Sequence, residues 1–238
     1  SLDYIIVAHN FGDVPHFNKR SALVPCLAAK VKQLLNIKNP KTVAFDIPFG
    51  CPGWLQGMII ADSLIKTGAK RIMIIGAEAL SRISDPHDRD SMIYADGAGA
   101  TILEAVTNEE PIGILAHCTR SDTLHHAQLL RMGLSNNPNY QSLETFLKMD
   151  GSAVYEYALN HVPPLVKECL EKTEIPLEKV SKLLIHQANA KMDEKILQRV
   201  FGLYDKKRKD IPPDIMPMTI GWLGNSSVAT IPTLLDLL

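Results

Sequence analysis

The chain has almost no excess charge. Its 238 residues balance to a formal net charge of -1, so no basic field invites nucleic acid or an anionic membrane surface. The one basic run, Lys206-Lys207-Arg208-Lys209, is short and fits a solvated loop. Cysteine is scarce as well. Cys26, Cys51, Cys118 and Cys169 stand far apart and show no metal-ligand spacing. Reduced thiols in a cytosolic protein are the simplest reading of that scatter. No apolar run approaches a membrane-spanning length, and the opening residues lack a signal-peptide pattern. Leu2 to Ala8 instead reads as a buried strand, and Ile231 to Leu238 stops inside an apolar helical pattern, so both ends are expected to be cut.

What the chain does have is apolar bulk. At 46% hydrophobic it can bury a substantial core as one large or two smaller domains. Short β-rich runs alternate with helical patterns, which predicts α/β layers around sheets. Strands are expected at Tyr4 to Ala8, Thr42 to Ile47, Arg71 to Gly76, Ala100 to Ala105, Ile112 to Cys118, Lys182 to His186 and Met216 to Ile220. A helix should begin near Cys51, with Pro52 at its first position, and close at Thr67-Gly68. A second runs from Ser152 to Lys172, where Pro163-Pro164 is expected to kink or break it. Further helices follow His186 and Asn225. Leu134 to Asp150 is polar and irregular, a surface excursion. Asn108-Glu109-Glu110-Pro111 divides the chain into comparable halves, 1–110 and 111–238.

Three residues share one kind of address. Cys51 lies in Phe49-Gly50-Cys51-Pro52-Gly53-Trp54, where a strand ends and a helix begins; such a junction favours thiolate. His186 ends an apolar run and opens Gln187-Ala188-Asn189. Asn225 lies in Gly224-Asn225-Ser226-Ser227 before another helix. Sites in layered α/β folds assemble at the carboxyl ends of strands. Each residue also has a bland reading: a small buried hydrophobe, a structural histidine, a turn or cap asparagine.

Together with Asp85-Pro86-His87-Asp88-Arg89 and Asp96-Gly97-Ala98-Gly99-Ala100, these segments resemble, in order, the β-ketoacyl-(acyl carrier protein) synthase III family. The resemblance implies a thiolase-like α/β fold, with two similar βα halves in five α/β/α/β/α layers, here lacking the family's opening segment and closing strand. The first half would carry the nucleophilic cysteine, the second the histidine and asparagine. It implies a decarboxylative Claisen condensation of an acyl-CoA primer with malonyl-acyl carrier protein through acyl-Cys51, initiating fatty-acid synthesis. His186 and Asn225 would donate to the enolate oxygen. No metal or redox cofactor is called for, and the partners would be the two thioesters and a second copy in a homodimer. A related ketosynthase of secondary metabolism, or an inactive truncated fragment, are the alternatives.

Other positions match the family with less weight. Arg89 matches a contact to the nucleotide of CoA, Lys191 a carrier-protein docking position, Leu80 and Tyr94 the acyl pocket, and Gly151 and Asn189 neighbours of the pantetheine arm. Each has an ordinary structural reading, as ion pair, solvated lysine or core. The Asp96 to Ala100 glycines suit close backbone packing, since a phosphate loop would need a lysine and different spacing. Trp54, Asp90 and Ser152 depart from the family's usual phenylalanine, glycine and asparagine.

Overall fold

The computed structural model describes residues 1–238, which form two compact units. The first joins Ser1–Ser84, Ile93–Glu110 and Leu223–Leu238; the second joins Asp85–Met92 and Pro111–Trp222. Two segments cross the Glu110–Pro111 boundary, and Asn225 falls in the unit that holds Cys51.

The first unit is built on four strands: β1 (Tyr4–His9), β2 (Val43–Pro48), β3 (Arg71–Ala79) and β4 (Asp96–Glu104), in spatial order β2-β1-β3-β4. β1 runs parallel to both β2 and β3, while β4 is antiparallel to β3. The crossovers are α1 (Leu27–Leu34) and α2 (Gly53–Lys66). Alternation along β1 sorts its side chains by face. Ile5 and Val7 pack with Ala28, Leu27 and Val31 of α1. Ile6 and Ile74 point the other way, onto α2 at Gly57. Both faces are covered, which explains the near-continuous apolar runs. α2 closes where expected, with Thr67 as its C-cap followed by Gly68 at φ +115. β4 begins earlier than expected and contains the Asp96 to Ala100 glycines.

The second unit holds the ribbon β5 (Leu130–Gly133) with β6 (Phe146–Met149), the long α3 (Gly151–Glu171), α4 (Ala190–Gly202) and the single turn α5 (Ile220–Leu223). α6 (Thr230–Asp236) returns to the first unit. No helix is long and apolar enough to cross a membrane. Part of the expected surface excursion is thus ordered into β6, because Phe146 is buried and Lys148 has buried partners. Lys148 donates to Asp85, to Asp88 at 3.0 Å and to the Asn136 side chain at 3.0 Å. Burial alone would raise the Asp85 carboxyl. Hydrogen bonds from Lys148, the His87 and Asn136 N–H groups and Ser135 outweigh it and hold the carboxyl far below the usual range.

Two sequence expectations need correction here. Ile112 to Cys118, Lys182 to His186 and Met216 to Ile220 are not strands. Lys182 to His186 makes a single backbone bond, Leu183 N–H to Ile215 O at 2.8 Å just before Met216, and a strand needs a ladder. The Gln187 side chain joins the two segments instead. Its Nε2 donates to Pro217 O at 2.7 Å, and its Oε1 accepts the N–H groups of Thr219 and Ile220.

The second correction concerns α3, which runs unbroken through Pro163 and Pro164. Pro163 leaves the Leu159 carbonyl without its helical donor. Arg199 of α4 supplies one: its Nη1 donates to Leu159 O at 2.6 Å and to Asn160 Oδ1 at 3.0 Å.

Two variants test these anchors. Arg199→Leu should lower stability by about 1–2 kcal/mol in urea denaturation, and by less in a Pro163→Ala background, where an N–H returns to Leu159. Lys148→Met strands a buried carboxylate without its cation, and a loss of about 3–5 kcal/mol is expected.

Candidate active site

Because β1, β2 and β3 are parallel, their carboxyl ends share one edge of the sheet, where open α/β sheets collect ligands. His9 closes β1, Pro48 closes β2, and Glu78 is the penultimate residue of β3. Cys51 follows β2 by three residues. A tight turn, Gly53 N–H to Gly50 O at 2.7 Å, swings the chain into α2. That turn postpones the helix, so Pro52 is the N-cap (φ -84) and not the first helical residue. Cys51 remains half-buried at the positive end of α2.

The Gly224–Ala229 loop is fastened to the same unit. Asn225 N–H donates to Ile93 O at 2.7 Å, and Ala95 N–H donates to Asn225 O at 2.9 Å, a bridge that places Tyr94 beside Asn225. Gly224 has φ +69, and a Cβ there would lie 2.9 Å from that of Ala95, so glycine is required. Asn225 Oδ1 accepts the Ser227 N–H at 2.8 Å. The turn role is therefore real, but it uses only the oxygen; the amide nitrogen remains the end that can donate. Ser227 Oγ donates to Cys51 Sγ at 3.5 Å.

Two carboxylates near these groups were not foreseen from sequence. Buried Glu78 accepts the N–H groups of Asn10 at 3.0 Å and Phe11 at 2.7 Å. Burial pushes its carboxyl up to about 7 despite those bonds and the nearby His9 ring, and a Cys51 thiolate pushes it the same way. Repulsion is mutual, so an ionised Glu78 disfavours the thiolate. The signal was an acid inside the apolar run Ile72 to Ala79. Asp46 accepts the His9 ring at 3.0 Å and the first N–H groups of α1, Leu27 at 2.7 Å and Ala28 at 2.8 Å. His9 Nδ1 accepts the Gly12 N–H, which assigns the ring proton to Nε2.

The second unit holds the other predicted positions. His186 is half-buried and directly precedes the Gln187 anchor. Asn189 caps α4, accepting the N–H groups of Lys191 at 3.0 Å and Met192 at 3.2 Å. Lys191 and Arg89 are exposed. Gly151 opens α3, where a Cβ would stand 3.1 Å from Asp90 Oδ2. Asp193 is the unforeseen group here. It is fully buried among Met192, Ile196 and Leu197, and neither carboxylate oxygen has a hydrogen-bond partner. Burial pushes it up to about 7, with the His186 charge opposing. Cys51, Leu80, Tyr94 and Asn225 thus belong to one unit; Arg89, Gly151, His186, Asn189 and Lys191 belong to the other. Leu80 is buried just after β3. No group of three or more His, Cys, Asp or Glu side chains is gathered as a metal ligand set.

The family profile described as 3-Oxoacyl-[acyl-carrier-protein (ACP)] synthase III matches residues 45–123. A β-ketoacyl-[acyl-carrier-protein] synthase III of Streptococcus equi subsp. zooepidemicus is 32% identical over 241 residues, covering 99% of this chain and 68% of that protein. The chain belongs to the synthase III family. Its thiolase-like α/β fold is that of the solved relatives. The synthase III of Pseudomonas aeruginosa PAO1 matches with a TM-score of 0.82 at 26% identity, over 99% of this chain and 67% of that one. The Thermus thermophilus synthase III matches with a TM-score of 0.82 at 28% identity, over 99% and 68%. Within this synthase III chain, Cys51, Leu80, Arg89 and Tyr94 fall inside the profile match; His186 and Asn225 lie beyond it but inside the longer alignment.

Asp193 has a consequence for pH. Its folded pKa lies above the ordinary carboxylate value, so the fold is most stable below about pH 4 with respect to this group and loses that stability as pH rises through about 7. Asp193→Asn should remove roughly 2–3 kcal/mol of the stability lost by the parent between pH 5 and pH 8, read by urea denaturation at both values.

Proposed function

We propose that this synthase III chain performs acyl transfer through Cys51, as the catalytic half of a decarboxylative Claisen condensation. The observation that carries the assignment is the junction itself. A half-buried thiol sits at the carboxyl end of a parallel strand, at the positive end of α2, with a hydroxyl donor 3.5 Å from its sulfur. The thiolate attacks the carbonyl carbon of an acyl-CoA, the bond to the CoA sulfur breaks, and CoA leaves as the acyl group passes to Cys51. Malonyl-acyl carrier protein then loses carbon dioxide, and the electron pair of the broken C–C bond becomes an enolate. The enolate carbon attacks acyl-Cys51 and expels the thiolate with a β-ketoacyl product.

The enolate oxygen needs donors that stay neutral or give up no charge. Asn225 suits this because its oxygen is already occupied by Ser227 N–H. His186 takes the matching role from its family position in the His-Gln-Ala-Asn motif. Arg89 and Lys191, both exposed, are assigned to the CoA nucleotide and the acidic carrier protein; Leu80 and Tyr94 are assigned to the acyl chain, and Gly151 and Asn189 to the pantetheine arm. A homodimer and a cytoplasmic setting belong to the same proposal.

Incubation of the intact protein with a panel of acyl-CoAs, followed by peptide mass spectrometry, should find the acyl adduct on Cys51 and none in Cys51→Ala. His186→Ala and Asn225→Ala should keep acylation within a few-fold while malonyl decarboxylation drops about 100-fold or more. An adduct on another residue would sink the assignment, and equal loss of both steps in all three variants would sink the division of labour.

A further inference from the structure

Ser227 makes two contacts at the site, one within its own turn and one to a distant segment. Its Oγ donates to Cys51 Sγ at 3.5 Å, across 176 residues of sequence, and its N–H donates to Asn225 Oδ1 at 2.8 Å. It makes both contacts from a backbone that serine rarely adopts: Ser227 has φ +52, in the left-handed region. A non-glycine residue held there is strained, and such strain persists where the surroundings over-determine it. Here they do. Asn225 is tied to Ile93 and Ala95, and the carbonyl of Val228 rests against Gly76 of β3, 2.5 Å from where a Cβ would stand. The side chain is nearly buried, so its hydroxyl does not trade this contact for solvent.

We propose that Ser227 is a positioning residue for Cys51, its hydroxyl holding the sulfur as thiolate and its N–H turning the Asn225 amide so that nitrogen, not oxygen, is left to donate. This rests on the acyl-cysteine chemistry proposed above. A hydrogen bond to the charged form of a thiol favours that form. Ser227 thereby offsets the repulsion from buried Glu78 at the same sulfur. Its neighbour Ser226 faces Thr230 at 3.5 Å and lies outside this arrangement.

The test is the pH dependence of iodoacetamide alkylation at Cys51, followed on its own peptide in the intact protein. Ser227→Ala should raise the apparent thiol pKa by about one unit, slowing alkylation about tenfold on the acid side of the transition. Ser227→Gly should give the same shift while its melting temperature holds or rises, because glycine accepts φ +52 without strain. Ser226→Ala should match the parent. An unchanged profile in Ser227→Ala would overturn the role, as would a shift in Ser227→Ala that Ser227→Gly does not share, since the cause would then lie in the backbone. Alkylation uses no CoA thioester, so failure of the parent to accept an acyl group would count against the enzyme reading and leave this measurement interpretable.

Discussion

The approach of the Gly224–Ala229 loop to β3 is the contact on which the rest of the first unit's chemistry depends. Gly76 sits against the Val228 carbonyl so closely that any side chain would displace it. Remove that approach and Asn225 and Ser227 leave the carboxyl edge of the sheet, where Cys51 stands. The contact joins the middle of one strand to a segment about 150 residues later, so its loop-closure entropy must be offset by packing. Burial of Val228, Ala229, Ile231 and Leu234 against the unit provides it. A generic hydrophobic docking thus carries polar groups into exact register with a nucleophile.

Buried carboxylates divide according to their partners. Asp85 has Lys148, Ser135 and two backbone N–H groups, and stays ionised in spite of complete burial. Glu78 has only two backbone N–H groups, and burial wins. Asp193 has no hydrogen-bond donor at all and is also pushed up to about 7. Only Asp85 contributes stability in its charged form; the other two become liabilities as pH rises. Their positions differ in function as well. Asp85 ties a motif segment to the β5–β6 ribbon, whereas Glu78 and Asp193 each act electrostatically on a residue assigned to catalysis, Cys51 and His186.

Several features were legible in the sequence for definite reasons. Apolar alternation and helical periodicity gave β1, β2, β3, α2 and α4 because those elements answer to local burial. The cysteine, histidine and asparagine junctions were visible because strand-to-helix turns have a local grammar. The Pro163-Pro164 break was misjudged because the missing hydrogen bond is restored by Arg199, which lies on a different helix. Lys182 to His186 was misread as a strand for the opposite reason: its local pattern is strand-like, but no ladder neighbour is present.

The sequence by itself determined the family, the nucleophile candidate and the alternation of layers, all of which follow from residue order and short-range patterning. Only the tertiary structure decided that Asn225 shares a unit with Cys51, that Ser227 reaches the sulfur, and that Glu78 and Asp193 are buried where ionisation is costly. Those outcomes depend on distances between segments far apart in the chain. Hydrogen bonding and desolvation act through space, and residue order does not contain those distances.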